Sequence, residues 1–251
     1  MDKVTFDSSK GMAFSEKEKT VFWRGATSEG YAGANNWEGM QRQRFVHLAN
    51  YAQGSTKLDL ILPNNAQGTD YSYRNIPLSS VLSATNIDVS FVGEPVRCYD
   101  KECAAQAREF YFNTSTVDFQ EHWKYKYLFD FDGAGFSGRF LPFLESRSLV
   151  FRAASFRQWF EERLTAWKDY VPVDTRLHDV WSLLAYFGGL GKGGEYAHEK
   201  EAGKIADEGK DWASKVLRKE DMEIYMFRLL LEWGRIVDDR RNELGFVLPP
   251  K

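Results

Sequence analysis

The eight residues KYKYLFDF (124–131) constrain this chain most. They leave a basic flank, turn apolar and stop at a glycine-rich loop, DGAGFSGR (132–139). A short aromatic and aliphatic run closed by turn residues reads as a strand. A short helix follows at about 141–147, with Pro142 in its first turn, where the missing N–H costs least. SLVFRA (148–153) is then the next strand. Strand, loop, helix and strand in direct succession point to a parallel sheet, whose neighbours need a crossover between them.

The rest of the chain repeats the alternation. TVFWRG (20–25) reads as a strand ending in a glycine turn, and NWEGMQRQRFVHLANYA (36–52) as a helix. KLDLILP (57–63), NIDVSFVG (86–93) and DYVPV (169–173) read as further strands, and helices are expected at 156–168 and 177–187. GGLGKGG (188–194) interrupts, and two long amphipathic helices fill about 195–217 and 220–242. The expected class is α/β, a parallel sheet with helices on both faces and long carboxyl-terminal helices. Ligands of such sheets sit beyond the carboxyl ends of the strands. Two loops stand there, WRGATSEG and DGAGFSGR.

Composition narrows the partners. The 251 residues are 43% hydrophobic, enough for one large α/β domain or two small ones, and carry a net charge of -3, with no basic surplus for a nucleic acid. No apolar run is long enough to span a bilayer, and the first twenty residues hold no signal core, so the chain as written reads as soluble and untargeted. Cys98 and Cys103 could close a small disulfide loop or stand as free thiols; they lack the neighbours a zinc site needs. Asn113 opens NTS, an acceptor pattern that has meaning only in a secretory lumen. Aromatic residues make up 16%, which suits either a sugar or base binder or an aromatic core.

Gly133, Gly135 and Gly138 let backbone approach a ligand, the following helix start offers N–H groups, and Ser137 and Arg139 add a hydroxyl and a fixed cation. Together they read as an anion cradle. The three glycines also fit G-x-G-x-x-G, but a dinucleotide fingerprint belongs on the first strand of its unit with an acidic ribose ligand about twenty residues on. Further cations are Arg24 in WRG and Arg42 and Arg44 in QRQRF. On a continuous helix Trp37, Met40, Arg44 and Leu48 share one face, so Arg44 projects among apolar residues and requires an anion, either a carboxylate of the fold or a ligand phosphate. Arg42 lies about 160° away around the helix, where geometry alone gives it a surface role. Asp130 and Asp132 form a D-x-D pair that could grip a cation, although a loop-starting aspartate explains Asp132 without metal. No histidine has a serine or cysteine nucleophile at motif spacing.

VFWRGATSEG, QRQRFV, HWKYKYLFDFDGAGFSGRF, SLVF and WKDYVPVDTRLHDVWSLL follow one another in an order and spacing that resembles the carboxyl-terminal half of glycosyltransferase family 90. That family contains the fungal capsule-associated, CAP10-like glycosyltransferases and the animal protein O-glucosyltransferases. The likeness runs over about residues 14–235, and FSEKEKTVFWRGATSEG with QRQRFVHLAN is most similar to the filamentous-fungal branch. It implies a GT-B architecture of two Rossmann-like domains, with residues 1–251 forming the single donor-binding half. The donor implied is a nucleotide-sugar such as UDP-glucose or UDP-xylose. Arg24 and Gly25 match the family's R-G turn beside the donor, and Arg42 matches the arginine on its phosphates, with Arg44 as the alternative. Gly133, Ala134, Gly135, Phe136, Ser137, Gly138 and Arg139 match the loop around the diphosphate and nucleoside. Ala26 stands where many relatives carry serine.

The resemblance further implies an inverting transferase with a glycan or glycoprotein acceptor, located in the lumen of the ER or Golgi, with no tightly bound cofactor and the need for a divalent metal left open. Its general base is an aspartate of the first domain. Little chain precedes Phe22, so that domain is read as largely absent, and the chain is expected to bind UDP while transferring little sugar alone. Two other readings stand beside it, a non-catalytic nucleotide- or carbohydrate-binding module and a nicotinamide-dependent oxidoreductase.

Overall fold

The structure is a computed structural model that describes residues 5–34, 36–51, 56–65, 69–114 and 117–245. Its strands in chain order are β1 (Glu18–Gly25), β2 (Lys57–Pro63), β3 (Tyr71–Pro77), β4 (Asn86–Val92), β5 (Phe112–Asn113), β6 (Tyr125–Phe131), β7 (Leu149–Ala153) and β8 (Val171–Pro172). The α-helices are α1 (Gln41–Asn50), α2 (Leu78–Ala84), α3 (Asp100–Glu109), α4 (Phe140–Glu145), α5 (Val180–Gly188), α6 (Glu199–Val216) and α7 (Lys219–Val237).

Six strands form one parallel sheet in the order β5-β4-β1-β6-β7-β8. The chain starts in the middle, builds outward through β4 and β5, then returns to the other flank of β1 with β6. Strand order therefore reverses between β1 and β6, the place where open α/β sheets leave a crevice at their carboxyl ends. The two loops singled out in the sequence leave from these two neighbouring strands.

Alternation along each strand divides the core. Tyr127, Phe129 and Phe131 of β6, with Val21 and Trp23 of β1, face a layer completed by Phe45 of α1, Val81 of α2 and Leu184 of α5. Leu128 of β6 and Phe22 of β1 point the opposite way, against Phe140, Phe143 and Leu144 of α4 and Ala213 of α6. A strand with large apolar side chains on both faces can only sit inside a sheet covered on both sides, which is why KYKYLFDF is central. The aromatic residues are largely core: Phe129 stacks on Phe151 at 4.7 Å, and Phe45 packs on Phe131 at 4.7 Å.

Three expectations need correction. KLDLILP is a strand, but it pairs antiparallel with β3 in a separate ribbon and takes no part in the main sheet. Its partner YSYRNIP alternates exposed and half-buried residues and carries no apolar run, so period gave no signal. No helix spans 156–168; a single 3₁₀ turn (Glu161–Arg163) stands there. Phe160 leaves that segment to pack on Phe140 at 5.7 Å, and the Asp169 carboxylate accepts the Thr165 amide at 2.7 Å, closing a turn in which Trp167 has φ 67°. The helix expected from Asn36 starts only at Gln41, after a 3₁₀ turn (Asn36–Gly39) and an extended Met40. Ala52 and Ser115 of the sequence readings lie outside the described residues.

Cys98 and Cys103 are joined as a disulfide at the entrance to α3. Among the described residues no helix is long and apolar enough to cross a membrane.

Candidate functional site

The crevice between β1 and β6 is built around Trp23. Its indole is buried and folds over the next turn, so a Cβ at residue 25 would lie 2.6 Å from Trp23 Cζ2, and only glycine fits. The Arg42 and Arg139 guanidinium groups lie 5.9 and 5.6 Å from the Trp23 ring centroid, each within reach of its electron-rich ring.

Arg42 holds the two loops together. Its Nε donates to the Asp132 carbonyl at 2.8 Å, and its Nη1 donates to the Ala26 carbonyl at 3.0 Å and to Ser28 Oγ at 3.1 Å. A fork of donors fixed in one plane spans both loops in a way a lysine could not. The Glu29 carboxylate accepts the Arg42 amide at 2.8 Å, so the β1 loop also caps the start of α1. Gly133 is explained by the same residue: a Cβ there would lie 3.1 Å from Arg42 Nη2. Across the crevice, Arg139 Nη1 donates to the Arg24 carbonyl at 2.6 Å.

The carboxylates behind the crevice are committed. Asp130 is fully buried, accepts the Ser137 hydroxyl and lies 3.5 Å from Arg152 Nε. Burial pushes its carboxyl upward, against the pull of Ser137, Arg139 and Arg152. Arg152 is itself gripped by both oxygens of Glu161. Asp132 accepts the amides of Ser155 and Phe156 through Oδ2. The D-x-D pair thus stabilises an arginine and a turn, and among the described residues no three His, Cys, Asp or Glu side chains gather as metal ligands.

Burial and then neighbouring Arg139 lower the Arg42 guanidinium to about 10, against the opposing pull of Glu29, Asp130 and Asp132. Burial lowers Arg139 as well, opposed by Asp130. The amides of Ala134, Gly135, Phe136, Ser137 and Gly138 donate to no described residue, and Arg139 uses only Nη1. Unpaired N–H groups and cations are groups that attract an anion.

Residues 2–242 match the family described as Glycosyl transferase family 90. The chain belongs to that family. Among curated proteins it is similar to an O-glucosyltransferase rumi homolog of Aedes aegypti, 35% identical over 124 residues, which are 48% of this chain and 29% of that protein. Human Protein O-glucosyltransferase 1 is 32% identical over 137 residues, 53% of this chain and 33% of its own length. The Drosophila melanogaster O-glucosyltransferase rumi is 29% identical over 141 residues, 54% of this chain and 32% of its own. The matched stretch thus spans about a third of each relative.

In this family member the sequence-chosen residues separate into groups. Arg42, Gly25, Gly133 and Arg139 converge on the crevice. Arg24 contributes its carbonyl, but its side chain turns to Asp88 Oδ1 at 2.6 Å and lies 4.5 Å over the Phe22 ring. Ser137 is buried and bonded inward, donating to Asp130 and accepting the Arg139 amide at 3.2 Å, so it shapes the loop. Ala134, Gly135, Phe136 and Gly138 form its rim, with no residue from 133 to 138 at positive φ, and a Cβ at 135 or 138 would meet open space. The loop thus does not need the glycine conformations of a dinucleotide fingerprint.

Arg44 lies elsewhere. Its Nη2 donates to the Arg176 carbonyl, and it lines a separate cleft of about 880 Å³ with His47, Arg108, His178 and Trp181. The helical face drawn from Trp37 fails because Met40 is extended; counted from Gln41, residues 41, 42, 43, 45 and 46 are buried, so the inward cation is Arg42 and the half-buried one Arg44. Sequence reasoning missed Trp23, Ser28, Glu29, Arg152 and His122. His122 is buried beneath Phe22, its Nδ1 2.8 Å from the Phe119 carbonyl and its Nε2 unpartnered among the described residues. Burial lowers it to about 4, with Arg139 and Arg24 adding to the shift. The one signal for Trp23 was the glycine two places on.

Proposed function

We propose that the β1–β6 crevice binds the diphosphate of a nucleotide-sugar, UDP-glucose or UDP-xylose in type, for inverting transfer to a hydroxyl of a protein or glycan. The observation that carries the reading is the run of five unpaired amides, 134–138, beside Arg139 at the strand-order reversal. In an in-line displacement, negative charge grows on the departing diphosphate. Fixed N–H donors and an arginine stabilise that charge more than the ground state, which lowers the barrier. Arg42 keeps the two loops at the spacing the diphosphate requires, and Arg139 supplies its free guanidinium edge. The Cys98–Cys103 disulfide supports an oxidising compartment such as a secretory lumen.

A second reading, donor binding without transfer by this chain, is favoured by the carboxylates around the crevice. Glu29, Asp88, Asp130 and Asp132 each serve a protein partner, which leaves none of the four placed as a base toward an acceptor. Titration calorimetry with UDP tests what both readings share. Binding that falls at least about tenfold in Arg139→Ala supports the crevice, as loss of a charge-assisted contact requires. Absence of UDP binding contradicts both readings. A donor-hydrolysis and transfer assay then separates them.

A further inference from the structure

The cleft beside Arg44 is a second hollow, reached from another side of α1. Side chains two places apart on a helix project about 160° from each other, so α1 turns Arg42 to the β1–β6 crevice and Arg44 to this cleft. The buried part of its lining is largely apolar: Trp37 packs on Phe110 at 5.7 Å, with Trp181 and Leu177 beside them. Its volume of about 880 Å³ is that of a small-molecule site. The exposed part is polar and carries both signs. Glu38, Arg108 and Arg176 stand there, and their side chains have no partner among the described residues.

Buried polar groups of the lining are unpaired as well. The indole N–H groups of Trp37 and Trp181 donate to no described residue, although these residues are only 9% and 7% exposed. Gln43, 1% exposed, donates its side-chain amide to Gln106 Oε1 at 2.9 Å, while its own Oε1 has no partner among the described residues. Buried polar groups are ordinarily satisfied, so several left open at one hollow point to a ligand that pairs with them.

The lining also selects the ligand's chemistry. A bare anion meets Glu38 and Glu109 as well as the arginines. A wholly apolar ligand leaves Gln43 and the two indole N–H groups unsatisfied. A pyranose ring has a face of C–H groups for the aromatic side chains and a girdle of hydroxyls, each both donor and acceptor, for the polar ones. We propose that this cleft binds a short saccharide, at a site separate from the crevice. The two sites share no residue in contact with ligand, so the cleft stands whether or not UDP binds.

Saturation-transfer difference NMR on the full chain tests this with cellobiose, xylobiose, lactose and mannobiose at millimolar concentration. At least one is expected to bind. Combining Glu38→Ala with Arg108→Ala, both exposed, is expected to weaken that binding at least about tenfold with circular dichroism unchanged. Arg139→Ala, which acts on the crevice, is expected to leave it unchanged. Failure of all four sugars to bind overturns the proposal, including where sulfate alone binds the cleft. Binding indifferent to the double substitution overturns it too, and so does loss with Arg139→Ala, which would place the sugar in the crevice. UDP calorimetry reads the crevice by itself, so either site can fail without the other.

Discussion

Replacing Arg42 by Met keeps the unbranched stem of the side chain, without the guanidinium, and removes the link between the two loops. Three hydrogen bonds of good length disappear, to Asp132, Ala26 and Ser28. At about 2 kcal/mol for each bond to a charged donor, the gross loss is about 6 kcal/mol. Against this, burial holds the guanidinium well below its ordinary range, at about 10. Removing a cation so disfavoured returns about 3 kcal/mol. The expected net destabilisation is therefore about 3 kcal/mol, or roughly 6–12 °C in Tm for a domain of this size. Urea unfolding with an unchanged m-value reads the stability term, and UDP titration of the folded variant reads the loop spacing, with affinity expected to fall at least about tenfold. A loss below about 1 kcal/mol with unaltered UDP affinity would refute the role given to Arg42.

Three further outcomes follow from the same structure. Gly25→Ala sets a methyl against the buried Trp23 ring and is expected to cost about 1–3 kcal/mol, with a changed near-ultraviolet dichroism signal that reports the displaced indole. His122 sits at about 4 when folded against 6.5 when unfolded, so the unfolded chain binds more protons between these values. Stability is then full above pH 6.5 and falls by about 3 kcal/mol as pH drops through 4; His122→Phe should flatten that part of the pH–stability curve. Replacing both Cys98 and Cys103 by serine opens a six-residue loop and is expected to cost about 2 kcal/mol, measured by denaturant unfolding without reductant.

The sheet was legible where the sequence concentrated apolar residues. TVFWRG, NIDVSFVG, KYKYLFDF and SLVFRA are β1, β4, β6 and β7, because strands buried on both faces have no polar face to blur the signal. The ribbon strand β3 and the helix α3 were not legible, since YSYRNIP and DKECAAQARE carry few apolar residues and take their form from pairing and tertiary support. At the site, the glycine loop and Arg139 stood out through composition. The choice between Arg42 and Arg44 turned on one backbone angle at Met40, which spacing cannot encode, and the family resemblance preferred Arg42 where helical geometry preferred Arg44. Ser137 looked like a ligand group because its partner, Asp130, lies seven residues away across a loop whose course the sequence leaves open.

Hydrogen exchange with and without UDP tests the location of the site most directly. The account predicts that UDP slows exchange at residues 25–30 and 133–139 together, with the cleft of Arg44, Arg108 and Arg176 unaffected. Protection of that cleft, with the β1 and β6 loops exchanging as before, would contradict it.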